Sequence, residues 1–341
     1  MNENHREITL IAEISGNHLG NLNRAKELIH AAKESGATHV KLQTYTPDTI
    51  TLNVSTPEFR VSEGHELWSE RTLWDLYQEA HTPWEWHEEL FALARNIGIE
   101  IFSSPFDPTA VDLLEELNVK LYKIASLETG DLQLIELVAK TGKPLIISTG
   151  ASTLDEIDDV VETVGKTGNK HLTLLLCTSA YPTPTNGVHL GRLKLLQERY
   201  GLPVGLSDHT IGFEASIGAV ALGASVIERH LTLKRSDGGA DSAFSLEPEE
   251  FKALAKSITN MSAVMGNSEW LIDPIEDESR RFRRSLYITQ DVSEGDLLSP
   301  TNVRSVRPAN GIAPKYLDKV LGKRFRSSFP MGTALSWEQF S

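Results

Sequence analysis

Two histidines follow neighbouring apolar segments of this sequence. His209 comes shortly after the segment 204–206, and His230 ends the segment 225–228 with one arginine between. The small-residue stretch at about 213–222 separates the two segments, a pattern that predicts a strand, a helix and a second strand. Since the carboxyl ends of parallel strands share one edge, both imidazoles are expected there. Imidazole is a frequent ligand of divalent metals, although a histidine at a strand end can also be a hydrogen-bonded polar residue.

Two lysines stand in strand-like apolar surroundings, Lys41 and Lys123. A lysine buried at such a place needs an anionic partner to offset its desolvation. Together with neighbouring hydroxyl groups, the two ammonium groups could hold a phosphate and a carboxylate at once. The alternative is structural, with Glu13 as the partner of either lysine. No glycine-rich nucleotide-binding motif is present, which disfavours a nucleotide ligand.

The first 266 residues or so alternate strand-like and helix-like segments. We predict strands over 8–12, 39–42, 99–102, 121–124, 144–147, 172–176, 204–206 and 226–228. We predict helices over 22–35, 83–95, 108–117, 132–140, 154–164, 190–200, 213–222 and 248–265. Eight such units in about 260 residues favour a TIM (β/α)8 barrel, with a doubly wound sheet as the alternative.

Nearly every predicted strand ends in a hydroxyl or a charge, where a barrel would carry its chemistry. Any single serine or threonine there could instead be an ordinary loop or cap residue. The candidate binding and catalytic residues at these ends are Glu13, Lys41, Gln43, Ser104, Lys123, Ser126, Glu128, Ser148, Ser179, Tyr181, Ser207, His209 and His230.

The connection at about 44–82 is too long for an ordinary βα loop and is predicted to be a lid or a binding loop. The strand and helix alternation ends after Gly266, and a charged stretch and short β-like segments follow. We predict a barrel domain over residues 1–270, a linker over 271–284 and a small β-rich domain over 285–341.

Composition limits the class of protein. The 47 acidic and 33 basic side chains give a formal charge of −14, which disfavours a nucleic-acid-binding surface. There is no long apolar run and no signal-like start, so we expect a cytoplasmic location and no membrane partner. The single cysteine, Cys177, cannot form an intramolecular disulfide, and no activating neighbour is evident from the sequence.

Ordered strings at the predicted strand ends resemble the sialic acid synthase family. They are AEISGNH (12–18), KLQTYTPD (41–48), FSSPFD (102–107), YKIASLE (122–128), STGAS (148–152), CTSAYPT (177–183), GLSDHTIG (205–212), VIERHLTL (226–233), GADSAFSLEP (239–248) and SVRPANG (305–311). The resemblance therefore covers nearly the whole chain. Within the family, TYTPDTITLN (44–53), LWDLYQEAHTPWEWH (73–87) and SAFSLEPEEF (242–251) are most similar to the pseudaminic acid synthases.

The resemblance implies a TIM barrel followed by a small β-rich antifreeze-like (SAF) domain, in a homodimer whose small domains cap the partner's barrel. It implies condensation of phosphoenolpyruvate with an open-chain N-acylated amino sugar, giving a nine-carbon 2-keto acid and phosphate, with a divalent metal ion, Mn²⁺ or Mg²⁺. It assigns His209 and His230 to the metal, and Arg307 to the sugar's N-acyl group. It assigns the phosphoenolpyruvate anion to Lys41, Lys123, Ser104, Ser126, Ser148 and Ser207, and sugar-hydroxyl or acid/base work to Glu13, Glu128 and Asp241.

Two departures from the neuraminate enzymes affect the acceptor sugar. Ser104 stands where those enzymes usually have threonine, and Ser179 where they usually have asparagine. The expected acceptor is therefore 2,4-diacetamido-2,4,6-trideoxy-altrose. One alternative is an N-acetylneuraminate or legionaminate synthase that uses ManNAc or a 2,4-diacetamido-trideoxy-mannose. Another is a non-catalytic sugar- or ice-binding protein, which would have no need for two lysines and two histidines on one rim.

Overall fold

A computed structural model describes residues 7–61, 71–266 and 269–341. Eight parallel strands form a closed barrel in which each strand pairs with the next and β8 pairs with β1. This confirms the predicted barrel and excludes the doubly wound sheet. The strands are β1 (Thr9–Glu13), β2 (His39–Thr44), β3 (Glu100–Pro105), β4 (Tyr122–Ile124), β5 (Leu145–Ser148), β6 (Leu172–Cys177), β7 (Val204–Ser207) and β8 (Val226–His230).

Helices surround the strands. They are α1 (Leu22–Glu34), α2 (Pro47–Ile50), α3 (Leu73–Ala80), α4 (His87–Ile97), α5 (Pro108–Glu116), α6 (Leu132–Ala139), α7 (Leu154–Lys166), α8 (Arg192–Tyr200), α9 (Glu214–Ala221) and α10 (Pro248–Met265). Each long helix turns an apolar stripe towards the strands. In α1 the Asn21 side chain caps the first turn, and Ala25, Leu28, Ile29 and Ala32 recur at helical spacing on the buried face.

Strand register brings the functional strand ends to one level. Glu13 lies opposite Lys41 on β2 and opposite His230 on β8. Gly205 permits a close approach of β7 to β8, because an added Cβ would overlap the Val226 carbonyl oxygen and lie 2.8 Å from Val226 Cβ. A side chain at this glycine would therefore push the two histidine-bearing strands apart.

Some strand and helix bounds differ from the sequence prediction. Strand β3 continues through Pro105, so Ser103 and Ser104 belong to the strand rather than to the loop after it. The helix predicted from residue 83 opens as the 3-10 turn Trp84–Trp86 before α4 begins. The long connection after β2 contains α2, α3 and the 3-10 turn Pro57–Phe59, while its residues 62–70 lie outside the described ranges.

Contacts divide the chain into two compact units, Met1–Gly266 and Asn267–Ser341. The second unit contains an antiparallel pair, β9 (Ser285–Ile288) and β10 (Val303–Val306), and the short helices α11 (Asp277–Arg281) and α12 (Leu317–Val320). Its own core includes Leu286, Ile288, Val303, Phe325 and Leu335. The predicted linker thus contains a helix, and the bounds predicted for barrel, linker and small domain stay a prediction. Among the described helices, none is long and apolar enough to cross a membrane.

Candidate active site

A buried charge cluster occupies the carboxyl end of the barrel. Glu13 and Lys41 form an ion pair across β1 and β2, and Lys41 Nζ is 3.6 Å from Glu228 Oε1. The Ser207 hydroxyl lies 3.5 Å from the same Glu228 oxygen. The side chains of Glu13, Lys41 and Glu228 are all buried. Charges withdrawn from water in this way are stable only when they are paired or bind a ligand.

The two lysines differ in how fully their charge is compensated. Burial lowers the pKa of Lys41, but the carboxylates of Glu13 and Glu228 outweigh it and the pKa is raised overall. Burial also lowers the pKa of Lys123, and the nearby charge of Lys41 adds to that effect, so its pKa is lowered overall despite the attraction of Glu228. Lys123 Nζ donates to the Ile124 carbonyl at 2.9 Å. An anionic ligand would therefore stabilise Lys123 more than Lys41.

Buried hydroxyl groups surround this cluster. Ser104 Oγ and Ser148 Oγ are buried and have no hydrogen-bond partner among the described residues. Ser126 Oγ accepts a hydrogen bond from the Gly150 amide at 3.1 Å. A Cβ added to Gly150 would lie 2.7 Å from Ser126 Oγ and closer still to Ser179 Oγ, so both side chains converge on that glycine. Buried polar groups without partners are costly, which indicates that a polar ligand binds here.

His209 and His230 lie side by side, with their ring centroids 5.3 Å apart. His209 Nδ1 is 3.3 Å from the Thr178 carbonyl oxygen. Donation to that carbonyl places the proton on Nδ1 and leaves Nε2 free to bind a metal. His230 Nδ1 has no hydrogen-bond partner among the described residues and is 3.7 Å from Asp241 Oδ2. Phe244 packs edge-on against His230, with a centroid distance of 4.9 Å.

The histidine pair fits part of a metal site. Burial and the nearby His209 hold the pKa of His230 well below its usual range, which keeps the imidazole neutral as ligation requires. Within the described ranges no group of three or more His, Cys, Asp or Glu side chains could hold an ion. Two imidazoles with the remaining positions open fit an ion whose other ligands are substrate or water oxygens.

Cys177 has a neighbour that the sequence did not reveal. Its Sγ is 3.9 Å from His209 Nδ1. Burial raises the pKa of the thiol, but the hydrogen bond and charge of His209 lower it overall. The sequence shows no such neighbour, because His209 is adjacent to Cys177 in space and not in sequence.

A cavity of about 210 Å³ lies beside the histidines. Gln43, Ser126, Glu128, Tyr181, His230 and Asp241 line its polar part. Burial raises the pKa of Glu128 to about 7. Burial, and then repulsion from Glu13, also raise the pKa of Asp241 to about 7. Two carboxyl groups that titrate near neutrality can each hold or move a proton.

The other part of this cavity is apolar. Tyr45, Ile50, Leu76, Tyr77, Ala80 and Phe106 line it. Most of them come from α2, α3 and the connection after β2. The described part of that connection therefore borders the cavity, and its residues 62–70 lie outside the described ranges.

All the predicted site residues except Arg307 lie in the first unit, which contains the barrel. The first unit contains, within strands or after them, Glu13, Lys41, Gln43, Ser104, Lys123, Ser126, Glu128, Ser148, Ser179, Tyr181, Ser207, His209, His230 and Asp241. Arg307 belongs to the second unit, where it directly follows β10 and is exposed.

Sequence reasoning missed three kinds of residue here. Glu228 was not among the predicted site residues, although a glutamate within the apolar pattern of β8 signals a buried ion pair. Asp208 and Arg229, which flank the histidines, form a second buried ion pair. Tyr45 and Tyr77 lie in strings that carry the resemblance, but nothing local in the sequence indicates that the long connection folds against the cavity.

Comparisons with known proteins find similar sequences and similar folds. The NeuB family model matches residues 28–270, and the SAF domain model matches residues 283–341. The chain is 44% identical over 328 residues to the pseudaminic acid synthase of Helicobacter pylori, a match that covers 96% of each chain. It is 37% identical over 335 residues to the N,N'-diacetyllegionaminic acid synthase of Legionella pneumophila, covering 96% of this chain and 93% of that one. A crystal structure of N-acetylneuraminic acid synthetase from Leptospira borgpetersenii in complex with citrate superimposes with a TM-score of 0.71 and 28% identity, covering 82% of this chain and 94% of that one.

Proposed function

Because the chain belongs to the NeuB family and carries a SAF domain at its C-terminal end, we propose that it acts as a pseudaminic acid synthase. The reaction joins C3 of phosphoenolpyruvate to the aldehyde carbon of open-chain 2,4-diacetamido-2,4,6-trideoxy-altrose. Water adds at C2 of the former phosphoenolpyruvate, and phosphate leaves. The observation that carries this proposal is the pair of buried lysines, one of them poorly compensated, beside unpartnered hydroxyls and two histidines. We place the reaction in the cytoplasm, where phosphoenolpyruvate is made.

Phosphoenolpyruvate would bind over the charge cluster. Lys123, whose charge gains most from an anion, would contact the ligand directly, and Lys41 would share its charge between Glu13 and the ligand. The unpartnered hydroxyls of Ser104 and Ser148 would donate to phosphate or carboxylate oxygens. Ser126 follows β4, which lies between the strands of Ser104 and Ser148, and Ser207 ends β7; these two residues would complete the set.

His209 and His230 would hold a divalent ion, Mn²⁺ or Mg²⁺. When bound, such an ion supplies Lewis-acid polarisation of the aldehyde oxygen. The protein's part is to keep His230 neutral by burial and to orient His209 through the Thr178 carbonyl.

The carboxyl groups of the cavity would manage the protons. Glu128, whose pKa is about 7, can take a proton from the water that adds at C2. Asp241, whose pKa is also about 7, borders the same cavity and is placed to contact the sugar's hydroxyl groups. Glu13 is paired with Lys41, so its role is to hold that lysine as much as to contact the sugar.

The acceptor choice rests on the cavity wall and on the relatives. Ile50, Leu76 and Phe106 offer an apolar surface that suits a sugar whose C6 is a methyl group in place of a hydroxymethyl group. The identity to a pseudaminic acid synthase, 44%, exceeds the 37% to a legionaminic acid synthase. A legionaminate synthase is the second candidate, because its acceptor is also a diacetamido-trideoxy hexose.

The small domain would complete the site from a second chain. By the family resemblance, Arg307 of one protomer would reach the barrel of its partner and donate to the acyl oxygen of the sugar. The exposed position of Arg307 directly after β10 is compatible with such a contact.

One assay tests the proposed function. Phosphate release is measured with phosphoenolpyruvate, Mn²⁺ and, separately, the altro-configured sugar, the manno-configured 2,4-diacetamido sugar and ManNAc. We expect the altro sugar to give the highest kcat/KM. Release with the manno sugar alone would assign a legionaminate synthase, and no release with any of the three would contradict the proposal.

A further inference from the structure

A charged residue directly precedes each of the two histidines in the sequence. Asp208 precedes His209 and Arg229 precedes His230. Arg229 Nη1 lies 2.6 Å from Asp208 Oδ2, and both side chains are almost completely buried, at 1% and 0% exposure. Because successive side chains of a strand point to opposite faces, Arg229 projects away from the barrel interior that His230 faces. The ion pair therefore lies behind the imidazoles.

The ion pair ties the turn after β7 to β8. Asp208 Oδ1 accepts hydrogen bonds from the amide and hydroxyl of Thr210 at 2.9 and 2.8 Å, and Asp208 Oδ2 accepts one from the Ser216 hydroxyl on α9 at 2.5 Å. Arg229 donates from Nη1 to the Gly212 carbonyl at 3.0 Å and from Nη2 to the Thr210 carbonyl at 2.8 Å. One guanidinium on β8 thus binds the turn that contains His209 at three points.

We propose that Asp208 and Arg229 are positioning residues that set the spacing of His209 and His230 and thereby the affinity for a divalent metal ion. This inference rests on the metal site of the proposed function. The backbone of each histidine is also held on its other side, since the His209 carbonyl accepts from Thr183 at 2.9 Å and the His230 carbonyl accepts from Leu246 at 2.9 Å. The ion pair is a charged side-chain link between the two histidine-bearing segments, in addition to the longer contact of Ser207 with Glu228.

A stability role alone does not explain this arrangement. Well-packed apolar residues often replace a buried ion pair without loss of stability, whereas they cannot reproduce directional bonds to the carbonyls of a turn. Replacing a group that orients a metal ligand commonly lowers the metal affinity by roughly 10- to 100-fold, and we expect an effect of that order here. Packing and positioning can therefore be separated by experiment.

The test measures Mn²⁺ alone binding to the full-length protein, by electron paramagnetic resonance of free Mn²⁺, together with Tm. We expect Asp208→Asn and Arg229→Lys each to weaken Mn²⁺ binding about tenfold or more. The double variant Asp208→Leu/Arg229→Met, which removes both charges, should regain Tm relative to either single variant but not Mn²⁺ affinity. Ser103→Ala is the matched control. It removes a buried hydroxyl group on β3 that is hydrogen-bonded to Thr44 and is not part of the segments of His209 and His230. It should lower Tm and leave Mn²⁺ affinity unchanged.

The outcomes are distinguishable. If the folded single variants bind Mn²⁺ within about twofold of the parent, or if the double variant regains both Tm and affinity, the positioning role is wrong. If the parent binds Mn²⁺ and His209→Ala abolishes that binding, the metal site stands whatever the pair does. If the parent binds no Mn²⁺, the metal site and this inference fall together.

Discussion

Glu13 and Lys41 face each other across β1 and β2 and form a buried ion pair within the mouth of the barrel. Glu228 Oε1 lies 3.6 Å from the same ammonium group. The mouth thus contains counterions for Lys41 but leaves Lys123 with a lowered pKa and one backbone partner. The two lysines should therefore respond differently to substitution.

Lys123→Ala should raise the KM for phosphoenolpyruvate at least about tenfold and change the KM for the sugar much less. The reason is that the variant loses the ammonium group whose charge an anionic ligand would stabilise most. Steady-state kinetics with each substrate varied in turn measures both constants. Lys143→Ala, which removes a surface partner of Glu115, serves as the control. Equal increases for both substrates would indicate a structural lysine.

His209→Ala and His230→Ala should each abolish turnover, since each removes one of two proposed metal ligands, while the circular dichroism spectrum stays that of the parent. His171 is exposed before β6, at the other end of the barrel, so His171→Ala should retain activity. Near-normal activity of either ligand variant in chelator-treated buffer would remove the histidines from the metal site.

Glu128 should give a pH-dependent limb in kcat/KM near pH 7, because burial raises its pKa to about 7 and only the ionised form accepts a proton. Activity should rise with pH below that value. Glu128→Gln should lose the limb and on the order of 10²–10³ in kcat/KM. A limb that persists in the variant belongs to another group, such as Asp241.

The same carboxyl group should destabilise the fold at high pH. Its folded pKa is raised above the ordinary 4.5, so between about 4.5 and 7 the folded state binds more protons than the unfolded state. Stability therefore falls as pH rises through this window, by about 3 kcal/mol from this group. At pH 8 Glu128→Gln should consequently unfold at a higher denaturant concentration than the parent, whereas at pH 4 the two should be alike.

The double variant Ser104→Thr/Ser179→Asn should shift acceptor preference towards ManNAc, since it introduces the residues that the neuraminate enzymes usually have at these two positions. We expect the ratio of kcat/KM for the altro sugar to that for ManNAc to fall about tenfold, which corresponds to about 1.4 kcal/mol. Each ratio is measured with saturating phosphoenolpyruvate. A parallel loss with both sugars would show that the substitutions disturb the anion site instead.

Mixing inactive His209→Ala chains with inactive Arg307→Ala chains should restore part of the activity, because a hybrid dimer carries one barrel with both histidines and a partner arginine. Arg307→Ala alone should weaken the sugar and leave phosphoenolpyruvate binding unchanged. Subunit exchange is verified with differently tagged chains. Exchange without recovered activity would contradict an arginine acting in trans.

The barrel could be predicted from the sequence because its strands and helices are short, regular and separated by glycine and proline. The helix α10 was predicted with its observed bounds, Pro248–Met265, from a proline start and a glycine stop. The strand ends were predicted less accurately. Strand β3 runs three residues further than its apolar pattern, because the polar Ser103 is buried with its hydroxyl group hydrogen-bonded to Thr44.

The predicted site residues were found by type and by resemblance, whereas their pairings needed coordinates. Glu13 was assigned to Lys41 or Lys123, and only the register of β1 on β2 decides for Lys41. The environment of Cys177 depends on His209, 32 residues later in the chain. Contacts of this kind arise from closure of the sheet, and no local pattern encodes them.

Because Glu13 lies opposite His230 in the pairing of β1 with β8, the site is completed only when the last strand meets the first. During synthesis, the ribosome must add more than 200 residues after Glu13 before that pairing can form. Until then the nascent chain exposes two unpaired parallel edges, on β1 and on β7, and such edges favour association with other chains. A chain that stops before Val226 would keep both edges for good, so premature termination in this region should produce aggregates and not a weakened enzyme.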